Sequence, residues 1–520
     1  MINPLSANSS FRKPLPAESA PARSGGEVRS YDGRDNNPVH PEWNNQVGAT
    51  FLRRTPFQKI EDRPNPREVS NLVLAQAEDR PDPVHWSGLL WGWGQFVDHD
   101  LTDNAKVKNQ TEKIPVPVGD PWFDPGSTGQ AYIPFSSTHR PERPWNKNSG
   151  WLDASMVYGS NAKRAGALRT HQGGRLLTGE GDNLPFNTMG LPNDNDVHAP
   201  PESLTVAGDV RSSENPVLLA LHTVFMREHN RWAEELARKH PDWDDEKLYQ
   251  AARKRVGALV QAITYEEYLP NLLGPQRVPA YRGYQPEVDA RLNLEFVSAA
   301  FRLGHSQLGS TIFRNELNAD MLAQGDVKLR EVYFQPAKTL AEGGIAPVLR
   351  GAADYVQQAT DLEMVDEVRN FLFGPPGAGG LDLGAINIAR GREQGLPDFN
   401  TLRQSYGLPA YQSFEELTGE TEKADKLRQL YGSLDKLDAW VGLLAEPNAD
   451  GAAVGETVAA IVADQFARLR DGDRFYYEND PELADECELF KATTLSRLIA
   501  RNLGEDFQPY AFHGKSLERD

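Results

Sequence analysis

Apolar residues along this 520-residue chain recur mostly at intervals of three and four, the period of a helix with one buried face. The clearest stripe lies in Asn215 to His240, where Leu218, Leu221, Val224 and Phe225 share a face. Similar patterns predict helices over Glu68 to Ala77, Pro83 to Phe96 or beyond, Asp245 to Glu267, Pro286 to Leu303, Glu422 to Leu430, Ser433 to Leu444, Val454 to Arg470 and Thr493 to Asn502, with a short turn at Phe414 to Leu417. Strand signals are few, Arg330 to Phe334 being the best. Residues 29 to 56 and 104 to 147 hold many turn formers and no sustained period, so both predict loops, the second long enough to imply a function. No internal repeat is visible. The expected architecture is mainly α with very little β: one large domain over residues 28 to 512, a disordered N-terminal tail over 1 to 27 and a short tail over 513 to 520.

Composition narrows the class. Apolar residues make up 39% and charged residues 25% of the chain, the balance of a globular protein. No run approaches the roughly 18 to 20 consecutive apolar residues of a membrane span. The net charge of −19 argues against nucleic acid as a partner, since phosphate binding needs a basic face, and it favours a soluble monomer. A single cysteine leaves no intramolecular disulfide. Glu486 and Glu488 flank Cys487 and disfavour a thiolate, so it reads as structural. The opening stretch lacks the apolar centre of a secretory signal.

Five blocks carry the candidate chemistry. In WGWGQFVDHD (91 to 100), Gln95 and His99 lie one helical turn apart and Asp98 and Asp100 flank the imidazole. A neutral histidine so placed can be a general base or a metal ligand, although alone the block reads more simply as a buried helix end. In NSGWLDASMVYGS (148 to 160), Ser149, Asp153, Ser155 and backbone carbonyls such as that of Trp151 offer the all-oxygen set that suits Ca²⁺, or simply a cap and a turn. AGDVRSSENP (207 to 216) sets the permanently charged Arg211 three residues before Glu214; capping of the next helix by Ser212 or Ser213 would also account for it. AAFRLGHSQ (299 to 307) places His305 at the end of an apolar helix. LDLGAINIARGREQGLPDFN (381 to 400) centres on Asn387.

In this order the five blocks resemble the peroxidase–cyclooxygenase superfamily, the animal haem peroxidases typified by myeloperoxidase, lactoperoxidase and the peroxinectins. The likeness continues through HNRWAEELARKHPDWDDEKLYQAARKRVGALVQAITYEEYLPNLLG (229 to 274) and QFARLRDGDRFYYEN (465 to 479), and covers roughly residues 28 to 510. Each block alone is weak; five in register are specific. The resemblance implies a myeloperoxidase-like haem peroxidase domain. It also implies an enzyme that uses hydrogen peroxide to oxidise iodide, bromide, thiocyanate and small organic donors, including aromatic ones, through an oxoferryl intermediate. The lack of disulfides fits a bacterial or otherwise shorter member. Export is implied too, but with no signal visible a cytoplasmic location stays open.

By resemblance, His99 is the distal histidine, Arg211 the distal arginine and Gln95 the distal glutamine near water and halide. His305 is the haem iron ligand, Asn387 accepts its second ring proton, and Arg302 contacts a haem propionate. Asp98 and Glu214 match carboxylates that form esters with haem methyl groups, which implies a covalently held haem b. Asn215 stands where myeloperoxidase has a methionine that makes a further link, which implies that bromide, iodide and thiocyanate outrun chloride. Asp100, Ser149, the Trp151 carbonyl, Asp153 and Ser155 match a calcium site. Two alternatives belong beside this reading. A fatty-acid dioxygenase of the superfamily would carry a radical-forming tyrosine three residues before the iron histidine, where this chain has Arg302. An adhesion or matrix protein with a degenerate peroxidase fold fits poorly with His99, Arg211 and His305 all present. His222 and His229, two turns apart on one helix, are separated by roughly 10 Å and cannot share one ion. Tyr265, Tyr268 and the tryptophans read as packing.

Overall fold

The computed structural model describes residues 26–318 and 320–515. The chain runs through α1 (Pro66–Val69), α2 (Gly88–Leu101), β1 (Lys106–Pro115), β2 (Tyr132–Thr138), α3 (Ser155–Tyr158), α4 (Pro216–Lys239) and α5 (Asp245–Ala262). It continues through α6 (Leu294–Ser298), α7 (Gly304–Gln307), β3 (Thr311–Ile312), β4 (Val327–Lys328), α8 (Ile345–Asp354) and α9 (Leu383–Glu393). Then follow α10 (Phe414–Thr418), α11 (Thr421–Tyr431), α12 (Ala439–Ala445), α13 (Glu456–Asp471) and α14 (Leu495–Leu503), with further short helices and turns between the named elements. The fold is mainly α with little β, as expected.

The central element is α4. Its apolar stripe is fully buried, and α2, α5, α8 and α14 pack around it. Phe225 of α4 meets Trp93 and Phe96 of α2 at ring-centroid distances of 5.6 and 5.1 Å, which fixes the two helices face to face. The helix starts where Asn215 Oδ1 accepts from Leu218 N at 2.9 Å and Pro216 occupies a first-turn position that needs no N–H. The cap is therefore Asn215, not Ser212 or Ser213, and Glu214 lies outside the helix.

Three expectations are corrected. Residues 104 to 147 are not wholly loop: β1 and β2 pair antiparallel, with a register shift between Lys106 and Thr111. The hairpin escaped notice because β1 (KVKNQTEKIP) is exposed along almost its whole length, and only Ile114, Ile133 and Phe135 pack, with Ala385 and Ile386 of α9. Arg330 to Phe334 is not a strand; residues Leu329–Glu331 form a 3₁₀ turn, and the short strand just before it, β4, pairs with β3. The helix expected over Pro286 to Leu303 is broken. Ala299 has φ −136° and ψ −69°, so α6 ends before it, and His305 sits in the separate short helix α7. An apolar run reports burial but not such a kink.

Residues 1–25 and 516–520 of the expected tails lie outside the described residues. Among the described residues no helix is long and apolar enough to cross a membrane. Cys487 is half-buried; burial and nearby Glu478 push its thiol pKa up, in keeping with a structural role.

Gly208 shows how tightly the loops are set. A Cβ there would lie 2.3 Å from Gly159 N and Ser155 O and 2.4 Å from Tyr158 N, all backbone that cannot rotate away. Gly208→Ala is expected to destabilise the protein by about 1–3 kcal/mol or more through overpacking, read as a lowered denaturant midpoint.

Candidate active site

One face of α2 and the kinked segment ending in α7 enclose a cavity of about 1310 Å³, counting its open mouth. Gln95, Asp98 and His99 come to its wall from α2, Arg211 and Glu214 from the loop before α4, and Arg302 and His305 from the α6–α7 kink. Residues from three distant parts of the sequence thus converge on one space. The α2 residues share the wall because four residues make about one turn.

Asp209, which the sequence reading passed over, organises one side. His99 Nδ1 lies 2.9 Å from Asp209 Oδ2, and Arg211 donates its Nε to Oδ1 at 3.0 Å and its backbone N to Oδ2 at 3.1 Å. Burial opposes the Asp209 charge, but Arg211 and His99 outweigh it and hold its pKa well below the usual carboxylate range. An ionised carboxylate only accepts hydrogen bonds, so His99 Nδ1 carries a proton and Nε2 is the nitrogen left for chemistry. Arg211 also donates from Nη2 to Thr102 O at 3.0 Å, and Asp209 keeps its pKa raised. The Asp209 loop is itself held down: Asp209 N donates to Met156 O at 2.8 Å, and Arg164 Nε donates to Ala207 O at 2.7 Å.

Gln95 is fixed from both ends of its amide. Its Nε2 donates to Glu214 Oε1 and its Oε1 accepts from Asn215 Nδ2, both at 2.8 Å. Burial raises the Glu214 pKa, although His99 and Arg211 work against the rise. Asp98 Oδ1 accepts from Thr102 Oγ1 at 3.0 Å.

Across the cavity, burial lowers the His305 pKa to about 3, helped by Arg302 and Arg390, so the imidazole is neutral and has a lone pair to offer. Asn387, on α9 behind it, turns Nδ2 to His305 Nδ1 at 2.7 Å and Oδ1 to Arg302 Nη1 at 3.5 Å. The pairing is the expected one, but the amide donates to the ring here; a half-turn would make it the acceptor. Arg390, also missed in the sequence, lines the same wall. Among the described residues neither Arg302 nor Arg390 has an ion-pair partner. Withdrawal from water lowers both pKa values, that of Arg390 to about 10; Asp98 works against the lowering at Arg302, while at Arg390 the Arg302 charge adds to it and Glu393 and Asp196 oppose it. Two cations without carboxylate partners beside a neutral imidazole fit a ligand that brings a metal and two carboxylates, as haem does.

The third cluster lies behind His99. Asp100 accepts from Asp153 N, Ala154 N and Met156 N at 3.0 to 3.2 Å and from Ser155 Oγ at 2.7 Å, while Ser149 Oγ donates to Asp153 Oδ2 at 2.6 Å. Trp151, in the same turn, donates its indole N–H to Gly33 O at 2.9 Å. Burial raises the pKa of both carboxylates, and for Asp100 the Asp153 charge adds to it. Like charges buried together are what a dication relieves, so the residues fit Ca²⁺. No group of three or more His, Cys, Asp or Glu side chains suited to a metal occurs among the described residues, so hydroxyl and carbonyl oxygens would complete the set.

Known proteins resemble this chain over almost its whole length. The animal haem peroxidase family model matches residues 28–512. Peroxinectin A of Dictyostelium discoideum is 34% identical over 521 residues, covering 94% of this chain and 96% of that protein. The structure of peroxidase A from Dictyostelium discoideum superposes with a TM-score of 0.88 at 33% identity, covering 94% of this chain and 99% of that one. A fatty acid α-dioxygenase of Oryza sativa has a TM-score of 0.80 at 23% identity over 95% of this chain and 88% of its own, a likeness of fold alone. The fold is that of a helical haem enzyme, and the chain belongs to the animal haem peroxidase family. It is a peroxidase, driven by hydrogen peroxide.

Asp209 left one signal in the sequence, a carboxylate two residues before Arg211, but its bond to His99 spans the fold. Asp209→Asn is expected to slow the reaction with peroxide roughly 10–100-fold, the usual effect of losing a partner that orients an active group. Stopped-flow absorbance of the haem-loaded variant measures it.

Proposed function

We propose that this peroxidase reduces hydrogen peroxide between His99 and His305 and oxidises iodide, bromide, thiocyanate and small aromatic donors. One observation carries the reading: a neutral His305 faces, across one cavity, a His99 whose outer nitrogen is freed by Asp209 and whose neighbour is Arg211. His305 would hold the iron of haem b through Nε2, with Asn387 accepting the proton on Nδ1. Arg302 and Arg390 would take the propionates. Bound haem supplies the electrons that split the peroxide O–O bond.

The chain's own groups handle protons and charge. His99 Nε2 takes the proton from one peroxide oxygen and returns it to the other as water leaves. Arg211, kept cationic by Asp209, stabilises negative charge on the departing oxygen. Gln95 is held so that its position near water or an anion does not drift. Asp98 and Glu214, on the cavity wall, are the carboxylates proposed to esterify the haem. Asn215 is bound to Gln95 and to the α4 backbone, has no sulfur to offer, and makes no such link; the donors favoured are therefore those easier to oxidise than chloride. Asp100, Ser149, Trp151, Asp153 and Ser155 are proposed to bind Ca²⁺ in a structural role. Action outside the cell follows the resemblance, and the acidic net charge favours a monomer. Arg302, three residues before His305, leaves the dioxygenase reading without its tyrosine.

His305→Ala is expected to abolish the Soret band, whereas His99→Ala keeps it and loses roughly 10²–10⁴-fold in peroxide turnover. Extraction with acidified solvent should leave haem on the polypeptide; haem that extracts completely from mature enzyme removes Asp98 and Glu214 as ester sites. Chelation of calcium is expected to lower the thermal midpoint, by the equivalent of about 2.7 kcal/mol if the ion is normally at a hundred times its Kd.

A further inference from the structure

Trp91 lies on the same face of α2 as Gln95 and His99, one and two turns before them, and lines the same cavity. It is 5% exposed, and its indole N–H has no hydrogen-bond partner. A buried indole N–H normally finds an acceptor, so one without it calls for a reason. Trp86, Trp232 and Trp440 share this feature, but none of them reaches the cavity.

We propose that Trp91 is a redox-active residue: it returns one of the two electrons consumed when peroxide is reduced, and so lets a donor too large for the cavity be oxidised at the surface. The proposal rests on the peroxidase reading above. Indole and phenol are the side chains of this wall that yield an electron most readily. A phenol must lose its proton as the electron leaves, and the Tyr333 hydroxyl on the same wall is tied to Glu367 O at 3.4 Å, a carbonyl that takes no proton. An indole can lose the electron and keep its N–H, so a place without an acceptor suits tryptophan.

A path outward starts at the same ring. A Cβ on Gly88 would lie 3.4 Å from both Trp91 Nε1 and Tyr355 Cδ1, so both rings border that glycine. Tyr355 packs on Phe313 with ring centroids 4.8 Å apart, and Phe313 is half-exposed. The electrons balance. Reduction of one hydrogen peroxide to two waters takes two electrons and two protons, the electrons coming first from the bound haem. Trp91 refills one of them and becomes an indole radical cation with N–H retained. An electron from an outside donor, crossing Phe313 and Tyr355, restores the indole, and the donor's proton goes to solvent. The second electron comes from a further donor molecule.

The test is rapid-freeze EPR of the haem-loaded enzyme mixed with an equimolar amount of hydrogen peroxide and no donor. A radical line that narrows with ring-deuterated tryptophan, and is lost in Trp91→Phe, is the expected result. In that variant oxidation of ferrocytochrome c, which cannot enter the cavity, should fall relative to that of iodide by roughly tenfold or more. A line that persists in Trp91→Phe, narrows with deuterated tyrosine, or disappears only in Tyr268→Phe overturns the proposal. The deuteration arm uses the unaltered chain and stands even if the variant loads no haem. An unaltered protein that binds no haem, or whose Soret band ignores peroxide, overturns the peroxidase reading and this proposal together, and the optical spectrum reveals that before EPR is recorded.

Discussion

A carboxylate withdrawn from water must be given donors that replace it, and Asp209 meets that demand with the two groups the chemistry needs. His99 Nδ1, Arg211 Nε and Arg211 N all converge on it. Removing one member of such a buried ionic set typically costs about 3–5 kcal/mol, so the arrangement is held by the folding energy of the protein. Its consequence is geometric and electronic at once. The imidazole is locked to one tautomer with its second nitrogen outward, and the guanidinium is locked beside it. Neither residue could be so placed by its own helix or loop.

The same stretch of chain ties this pair to the acidic cluster. Asp100 follows His99 directly on α2 and gathers the backbone N–H groups that begin α3. From α3, the Met156 carbonyl reaches back to Asp209 N, and Gly208 packs on the α3 backbone with no room for a side chain. A cation between Asp100 and Asp153 would therefore act on catalysis through position. It would clamp α2 and the Asp209 loop to one another without touching the reacting atoms.

How much of this the sequence revealed follows from how local each feature is. The α4 stripe and the Gln95–His99 spacing are local and were legible, as were the five blocks that betray the family. The break at Ala299 was not, because the apolar run continues through it and only tertiary packing decides where the helix stops. The β1 strand was hidden by its polarity: its pairing is made by backbone groups, which every sequence has. Asp209 and Arg390 were inside blocks already singled out, yet their roles depend on partners more than eighty residues away. The Asn215 cap was missed because two serines nearby offered the same chemistry.

The two walls of the cavity differ in a way that bears on what completes the fold. On the His99 side the imidazole and the Arg211 guanidinium share one carboxylate, Asp209. On the His305 side Arg302 and Arg390 stand without one, and their field, with burial, is what keeps His305 neutral. Like charges held together out of water are a cost that the chain alone does not offset. A ligand carrying two carboxylates would offset it and at the same time meet a lone pair ready for a metal. Haem held there would contribute to folding through linkage, since only the folded chain assembles these three groups on one wall. A cofactor that brought two carboxylates would then be what the surplus of cations answers, which is the role proposed for haem here.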